Sequence, residues 1–164
     1  MSLSHNFGLP VSYGAIRSSI DSENLSREAL DKRRLQGSYR SAQTILFVDD
    51  EPSILVVRRL IFEALGFSVL TAESGEEALE VLRSNAVDAV VLDYLMPGMD
   101  GEETARRIRG MRAGLPIILS SACFSVPPRL SQLVNASVNK GVPQQQLLEV
   151  LQQQLQHVPI GKSA

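Results

Sequence analysis

Three aspartates, a serine and a lysine stand at the ends of short apolar runs. Asp49 and Asp50 follow TILFV, Asp93 follows AVDAVVL, Ser121 follows PIILS, and Lys140 follows ASVN. Gathered in one place, three carboxylates repel strongly, and a divalent cation among them relieves that repulsion. An oxygen-only ligand set in an open cluster suits magnesium, which keeps some of its waters and bridges carboxylates to phosphate oxygens. Asp49, Asp50 and Asp93 are therefore candidate Mg2+ ligands. A carboxylate is also a nucleophile able to form an acyl phosphate. Beside it, Lys140 would give a transferring phosphoryl group a second positive contact and Ser121 a hydrogen bond. Little else is needed, because phosphoryl transfer is catalysed mainly by positioning and electrostatics.

Taken singly, these residues are ordinary. An aspartate after a strand is commonly a turn residue, Asp49 and Asp50 ahead of Pro52 could cap a helix, and a lone lysine is usually solvated. Their order along the chain is what joins them. Apolar, β-rich runs are expected to form strands over Thr44–Val48, Phe67–Thr71, Ala86–Leu92, Pro116–Ser120 and Ala136–Asn139. Helical spacing alternates with them. A first helix runs over Ile54–Leu65 and is closed by Gly66. A second begins with a capping box, Ser74 and Glu77. Asp100 caps a third, Glu102 to about Met111, and a short piece spans Leu130–Val134. Pro143 opens the last, which buries Leu147, Leu148, Val150, Leu151 and Leu155. Strands that are continuously apolar are covered on both faces, so the expected fold is α/β, a doubly wound five-stranded parallel sheet. All five strand ends then emerge at one edge, where such sheets bind ligands.

The totals narrow the function further. A 164-residue chain with 44% hydrophobic residues can fill a core. The net charge is −2, without a block of five like charges, which gives no sign of nucleic acid or an anionic membrane as partner. No apolar run approaches the roughly 18 residues of a membrane span. The start of the chain lacks the pattern of a signal peptide. The one cysteine, Cys123, can neither staple the fold nor build a zinc site, and it suits a reducing cytoplasm. Residues Met1 to Gln43 differ in composition and read as a flexible extension or one short helix over Ser22–Gln36, with Leu25, Ala29, Leu30 and Leu35 in a thin stripe. The domain itself is expected over Thr44–Gln156, with a tail of His157 to Ala164.

The residues from Thr44 to Gln156 resemble receiver domains of two-component response regulators. The resemblance is carried by Asp49-Asp50 in LFVDDEP, Asp93 in VVLDYLMPGMDG, Ser121-Ala122 in PIILSSA and Lys140 in SVNKG; the most specific element is Asp93 through Met96, Pro97, Met99, Asp100 and Gly101. The separations of 43, 28 and 19 residues from Asp50 to Asp93, Ser121 and Lys140 in turn are near the family's usual values. The resemblance implies a flavodoxin-like strand order, 2-1-3-4-5. It implies that Asp93 accepts phosphate from a histidine kinase or histidine phosphotransfer protein, in a cytoplasmic phosphorelay. Asp49 and Asp50 would hold magnesium together with the backbone carbonyl of Leu95. Lys140 would pair with the phosphoryl group, and Ser121 would move toward it and reshape an output face. Such a protein is not an enzyme with an external substrate, although it can catalyse its own phosphorylation and dephosphorylation. With only His157 to Ala164 after the last helix, the sequence reads as a stand-alone receiver. Its output would then be a protein contact or phosphate relay, and a second copy of the chain is a candidate partner.

Three positions depart from the family pattern. Gly141, not proline, follows Lys140, which implies a looser loop there. Ser121 and Lys140 lie about three residues closer than usual, and Pro127 and Pro128 fall between them, so the fourth helix is expected to be shortened. Ser137 occupies a position that is usually aromatic. These changes motivate a second reading, a receiver-like interaction module independent of phosphorylation. A third reading, a phosphohydrolase with an aspartate nucleophile, fits less well: the nucleophile follows the third strand, and Asp93-Tyr94-Leu95 is not a DxD pair. A flavodoxin-like electron carrier would need a hydroxyl- and glycine-rich loop after the first strand. Leu95 and Cys123 are both apolar where the family tunes hydrolysis, so neither should position an attacking water, and a long-lived acyl phosphate is expected.

Overall fold

The computed structural model describes residues 42–122 and 126–156. The expected N-terminal helix, the tail after Gln156 and Cys123 lie outside them. The elements alternate: β1 (Thr44–Val48), α1 (Pro52–Ala64), β2 (Ser68–Ala72), α2 (Gly75–Ser84), β3 (Ala89–Asp93), α3 (Gly101–Met111), β4 (Ile117–Ser121), α4 (Pro128–Ser131), β5 (Ala136–Asn139) and α5 (Gln144–Gln156). The five strands form one parallel sheet in the order β2-β1-β3-β4-β5. This is the doubly wound, flavodoxin-like arrangement that the sequence led us to expect.

Successive strand side chains point to opposite faces, so each strand feeds two cores. Leu46, Val48, Val90, Leu92, Ile117 and Leu119 pack with Ala78, Leu79 and Leu82 of α2 and with Ala105 and Ile108 of α3. Ile45, Phe47, Ala89, Val91, Ile118 and Val138 pack on the other face with Leu55 and Phe62 of α1 and with Leu147, Leu148 and Leu151 of α5. Phe47 and Phe62 meet in a tilted pair, 5.0 Å between ring centroids. Two covered faces explain why the strands read as unbroken apolar runs.

Several boundaries shift, each for a local reason. β3 starts at Ala89 rather than Ala86, because the Asp88 carboxylate accepts from Thr44 N (2.7 Å) and fastens to the start of β1. β2 starts one residue late, because Phe67 N donates back to Phe62 O (3.1 Å) while Gly66, at φ +92°, turns the chain out of α1. α1 begins at Pro52, where a missing N–H costs nothing. Its buried residues are Leu55, Arg58 and Phe62, whereas Val57 and Leu60 face solvent. The prolines likewise open α4 instead of breaking it, and the helix is four residues long. At α2, Ser74 Oγ accepts from Glu77 N (3.2 Å), but Glu77 Oε2 accepts from Glu73 N (2.7 Å) rather than from the cap residue itself. In α5, Val150 and Leu155 are only partly buried.

Candidate functional site

The carboxyl ends of β1, β3, β4 and β5 bring the chemistry together. Asp93 is the last residue of β3 and 3% exposed, and Asp49, immediately after β1, is fully buried. Alternation places both on the sheet face of α1 and α5, in sequence with Phe47 and Val91. Asp50 is the more exposed partner. Asp49, Asp50 and Asp93 can each offer an oxygen within 4.8 Å of the others.

Lys140 leaves the end of β5 and reaches back across the sheet. Its Nζ donates to Asp93 Oδ2 at 2.9 Å and to Asp49 Oδ1 at 3.3 Å, and lies 3.1 Å from Asp49 Oδ2 and 4.0 Å from Glu51 Oε1. The backbone around it is hydrogen-bonded. Lys140 N donates to Ser121 O (2.9 Å), and the Asn139 side chain accepts from Gly141 N (2.8 Å). An asparagine–glycine pair thus closes the turn around the lysine despite the missing proline.

The remaining carboxylate contacts are backbone amides. Asp93 Oδ1 accepts from Tyr94 N (2.7 Å), and Asp49 Oδ1 accepts from Glu51 N (3.1 Å). Burial raises the Asp93 pKa above the ordinary carboxylate value; Lys140 and the Tyr94 amide oppose this, and the Asp49 charge adds to it. Burial also acts to lower the Lys140 pKa, yet its bonds to Asp93 and Asp49 outweigh that and leave it raised. Asp49 Oδ2 is buried, and its contact with Lys140 Nζ at 3.1 Å is an ion pair without hydrogen-bond geometry. Three clustered carboxylates sharing one lysine keep an excess of negative charge, which fits a divalent cation.

Ser121 ends β4 with 4% exposure, one residue beyond Ser120, the register partner of Asp93. Leu95, in the loop after β3, is 60% exposed. That loop is drawn tight by Gly101, whose N donates to Tyr94 O (2.9 Å). A Cβ at Gly101 would run into Asp93 O and come within 2.8 Å of Tyr94 Cα, so the turn after the candidate nucleophile requires glycine.

One buried charge escaped the sequence reading. Arg58 of α1 is 4% exposed and donates from Nη2 to Ser120 Oγ at 2.8 Å. Its signal was its spacing, three residues after Leu55 and four before Phe62, both of which are core residues.

Comparisons with known proteins agree with this architecture. The family model described as the response regulator receiver domain matches residues 45–156, more than half of the chain. The transcriptional regulatory protein GlrR of Escherichia coli is 41% identical over 83 residues, 51% of this chain and 19% of that protein. The response regulator MprA of a Mycobacterium species is 38% identical over 107 residues, 65% of this chain and 46% of that protein. The chain therefore spans less than half the length of these curated relatives. Among solved structures, the response regulator TrrA of Thermotoga maritima, in complex with Mg(2+)-BeF, is 34% identical with a TM-score of 0.65, covering 68% of this chain and 98% of that one. A receiver domain protein of Methanospirillum hungatei is 26% identical with a TM-score of 0.65, covering 71% of this chain and 95% of that one. No helix among the described residues is long and apolar enough to cross a membrane. Sequence, sheet order and family match thus agree that this chain belongs to the response regulator receiver domains.

Proposed function

We propose that the chain accepts a phosphoryl group on Asp93 from a histidine kinase or histidine phosphotransfer protein, and signals through protein contacts or onward relay in the cytoplasm. The observation that carries the reading is the buried Asp93 carboxylate, held by Lys140 Nζ at 2.9 Å beside Asp49 and Asp50. A carboxylate oxygen of Asp93 attacks phosphorus, the bond to the donor's imidazole nitrogen breaks, and that nitrogen keeps the electron pair and takes up a proton. Lys140, already on Asp93 Oδ2, follows the charge onto the phosphoryl oxygens. Ser121, at the end of the neighbouring strand, contributes a hydroxyl. Asp49, Asp50, Asp93 and the Leu95 carbonyl would hold the magnesium ion, which supplies neutralisation of the phosphoryl charge. TrrA, with its bound Mg(2+)-BeF, supports this cofactor assignment.

Incubating the purified chain with acetyl phosphate and magnesium tests the reading. Intact mass should rise by one phosphate, and Asp93→Asn should abolish the gain. No gain in the wild type, with partner binding intact in Asp93→Asn, would replace this reading with an interaction module that works without phosphate.

A further inference from the structure

α1 carries a cation into the interior beneath the carboxylates. The Arg58 guanidinium lies 5.6 Å over the Phe47 ring and is anchored by Nη2 on Ser120 Oγ, while its Nε and Nη1 are buried without hydrogen-bond partners. Burying an arginine with most of its donors unsatisfied is costly, and something must offset that cost. Its pKa is lowered by burial and pushed back up by the charges of Asp49 and Asp93. The carboxylates therefore offset part of the cost of burying this charge.

The placement follows from register. Ser120 pairs with Asp93 across β3 and β4, and in-register parallel residues point to the same face. That face is the one covered by α1, as Val91 and Ile118 show. The anchor of Arg58 therefore sits beside Asp93. Three carboxylates face two cations, Lys140 and Arg58, and the pocket keeps one net negative charge instead of two.

We propose that Arg58 is a charge-setting residue: held on Ser120 under Asp49 and Asp93, it lowers the affinity of the unphosphorylated pocket for a divalent cation. This rests on reading the carboxylate cluster as a magnesium site. Arg58 touches neither the metal nor the phosphoryl group, and acts only through its field.

The test is a magnesium chloride titration of the full chain, followed by NMR at the amide of Tyr94, which donates to Asp93 Oδ1. Arg58→Met removes the charge, keeps an apolar stem over Phe47, and should tighten the magnesium dissociation constant by on the order of tenfold. Arg58→Lys should stay near the wild-type value. Arg59→Met controls for helix charge, since Arg59 is exposed and bonds Thr71 at 2.8 Å; it should leave the constant within about twofold, as expected for a solvent-screened charge. If Arg58→Met does not fold, Arg58→Gln keeps a donor for Ser120 while losing the charge, and should show the same tightening. Damage to the pocket would weaken binding, so tightening separates charge from structure. An unchanged or weaker constant in the folded charge-loss variant, or a shift in Arg58→Lys equal to that in Arg58→Met, overturns the inference while leaving the magnesium site in place. A wild type that binds no magnesium overturns both.

Discussion

The role proposed for Asp93 sets two demands that conflict. A nucleophile must be ionised, yet burial raises the pKa of this carboxyl. For a carboxyl whose folded-state pKa is raised, both states are protonated below the ordinary value of about 3.9 and the group contributes nothing. As pH rises from there through the folded pKa, the unfolded chain ionises more readily, and folding bears a cost that persists at neutral pH. Asp93→Asn should therefore melt at a higher temperature than wild type in magnesium-free buffer at pH 7, with the difference closing as pH is lowered toward 3; an equal or lower melting temperature at pH 7 would refute the point. Leu95 bears on the other end of the cycle. Exposed and apolar, it cannot orient a water toward an aspartyl phosphate. The phosphorylated chain should keep its label for minutes in a pulse–chase, and Leu95→Asn should shorten that lifetime several-fold. Loss of label from wild type within seconds would count against it. The position of Asp93 could be read from the sequence because a charged residue ending a buried apolar run needs a partner. Arg58 had only its spacing between Leu55 and Phe62 to mark it, a weak signal because an arginine in a helix is ordinarily solvated, and only the partner strand shows what it reaches.

At the scale of elements, the loop from β3 into α3 is the most constrained. Gly101 starts α3, donates to Tyr94 O, and has the Asp93 carbonyl oxygen in the space a Cβ would need. Asp100 Oδ1 caps the same helix by accepting from Glu103 N (2.8 Å). Gly101→Ala should destabilise the fold by about 1–3 kcal/mol, since the clash is with backbone and not with a side chain that can turn away; urea unfolding measures it, and a loss below about 0.5 kcal/mol, the scale of an ordinary surface change, would contradict it. This element was legible because MPGMDG joins turn residues to a capping aspartate. α1 was less so. It is apolar nearly all round, with Val56, Val57 and Leu60 exposed, and periodicity alone could not say which stripe faces the sheet. The start of β3 was also hidden, because the role of Asp88 depends on Thr44, 44 residues away.

Across the whole domain, two cores share one sheet, and the central strands β1, β3 and β4, which lead into the aspartates and Ser121, are also its most buried. Their order followed from the alternation of apolar runs together with the family resemblance. The far edge was harder to foresee: Pro127 and Pro128 pointed to a short fourth helix, which is four residues long, and Gly141 to a looser loop after Lys140. The contacts at the two ends of β5 come from side chains. Arg109 of α3 donates to Leu133 O (2.8 Å) and Asn135 Oδ1 (2.6 Å), just ahead of β5. At the other end of β5, Lys140 grips Asp49 and Asp93. A strand clamped at both ends by cations, only one of which belongs to the carboxylate pocket, has two independent anchorages. Removing the Lys140 contacts would free one end of β5 and leave the Arg109 seat in place.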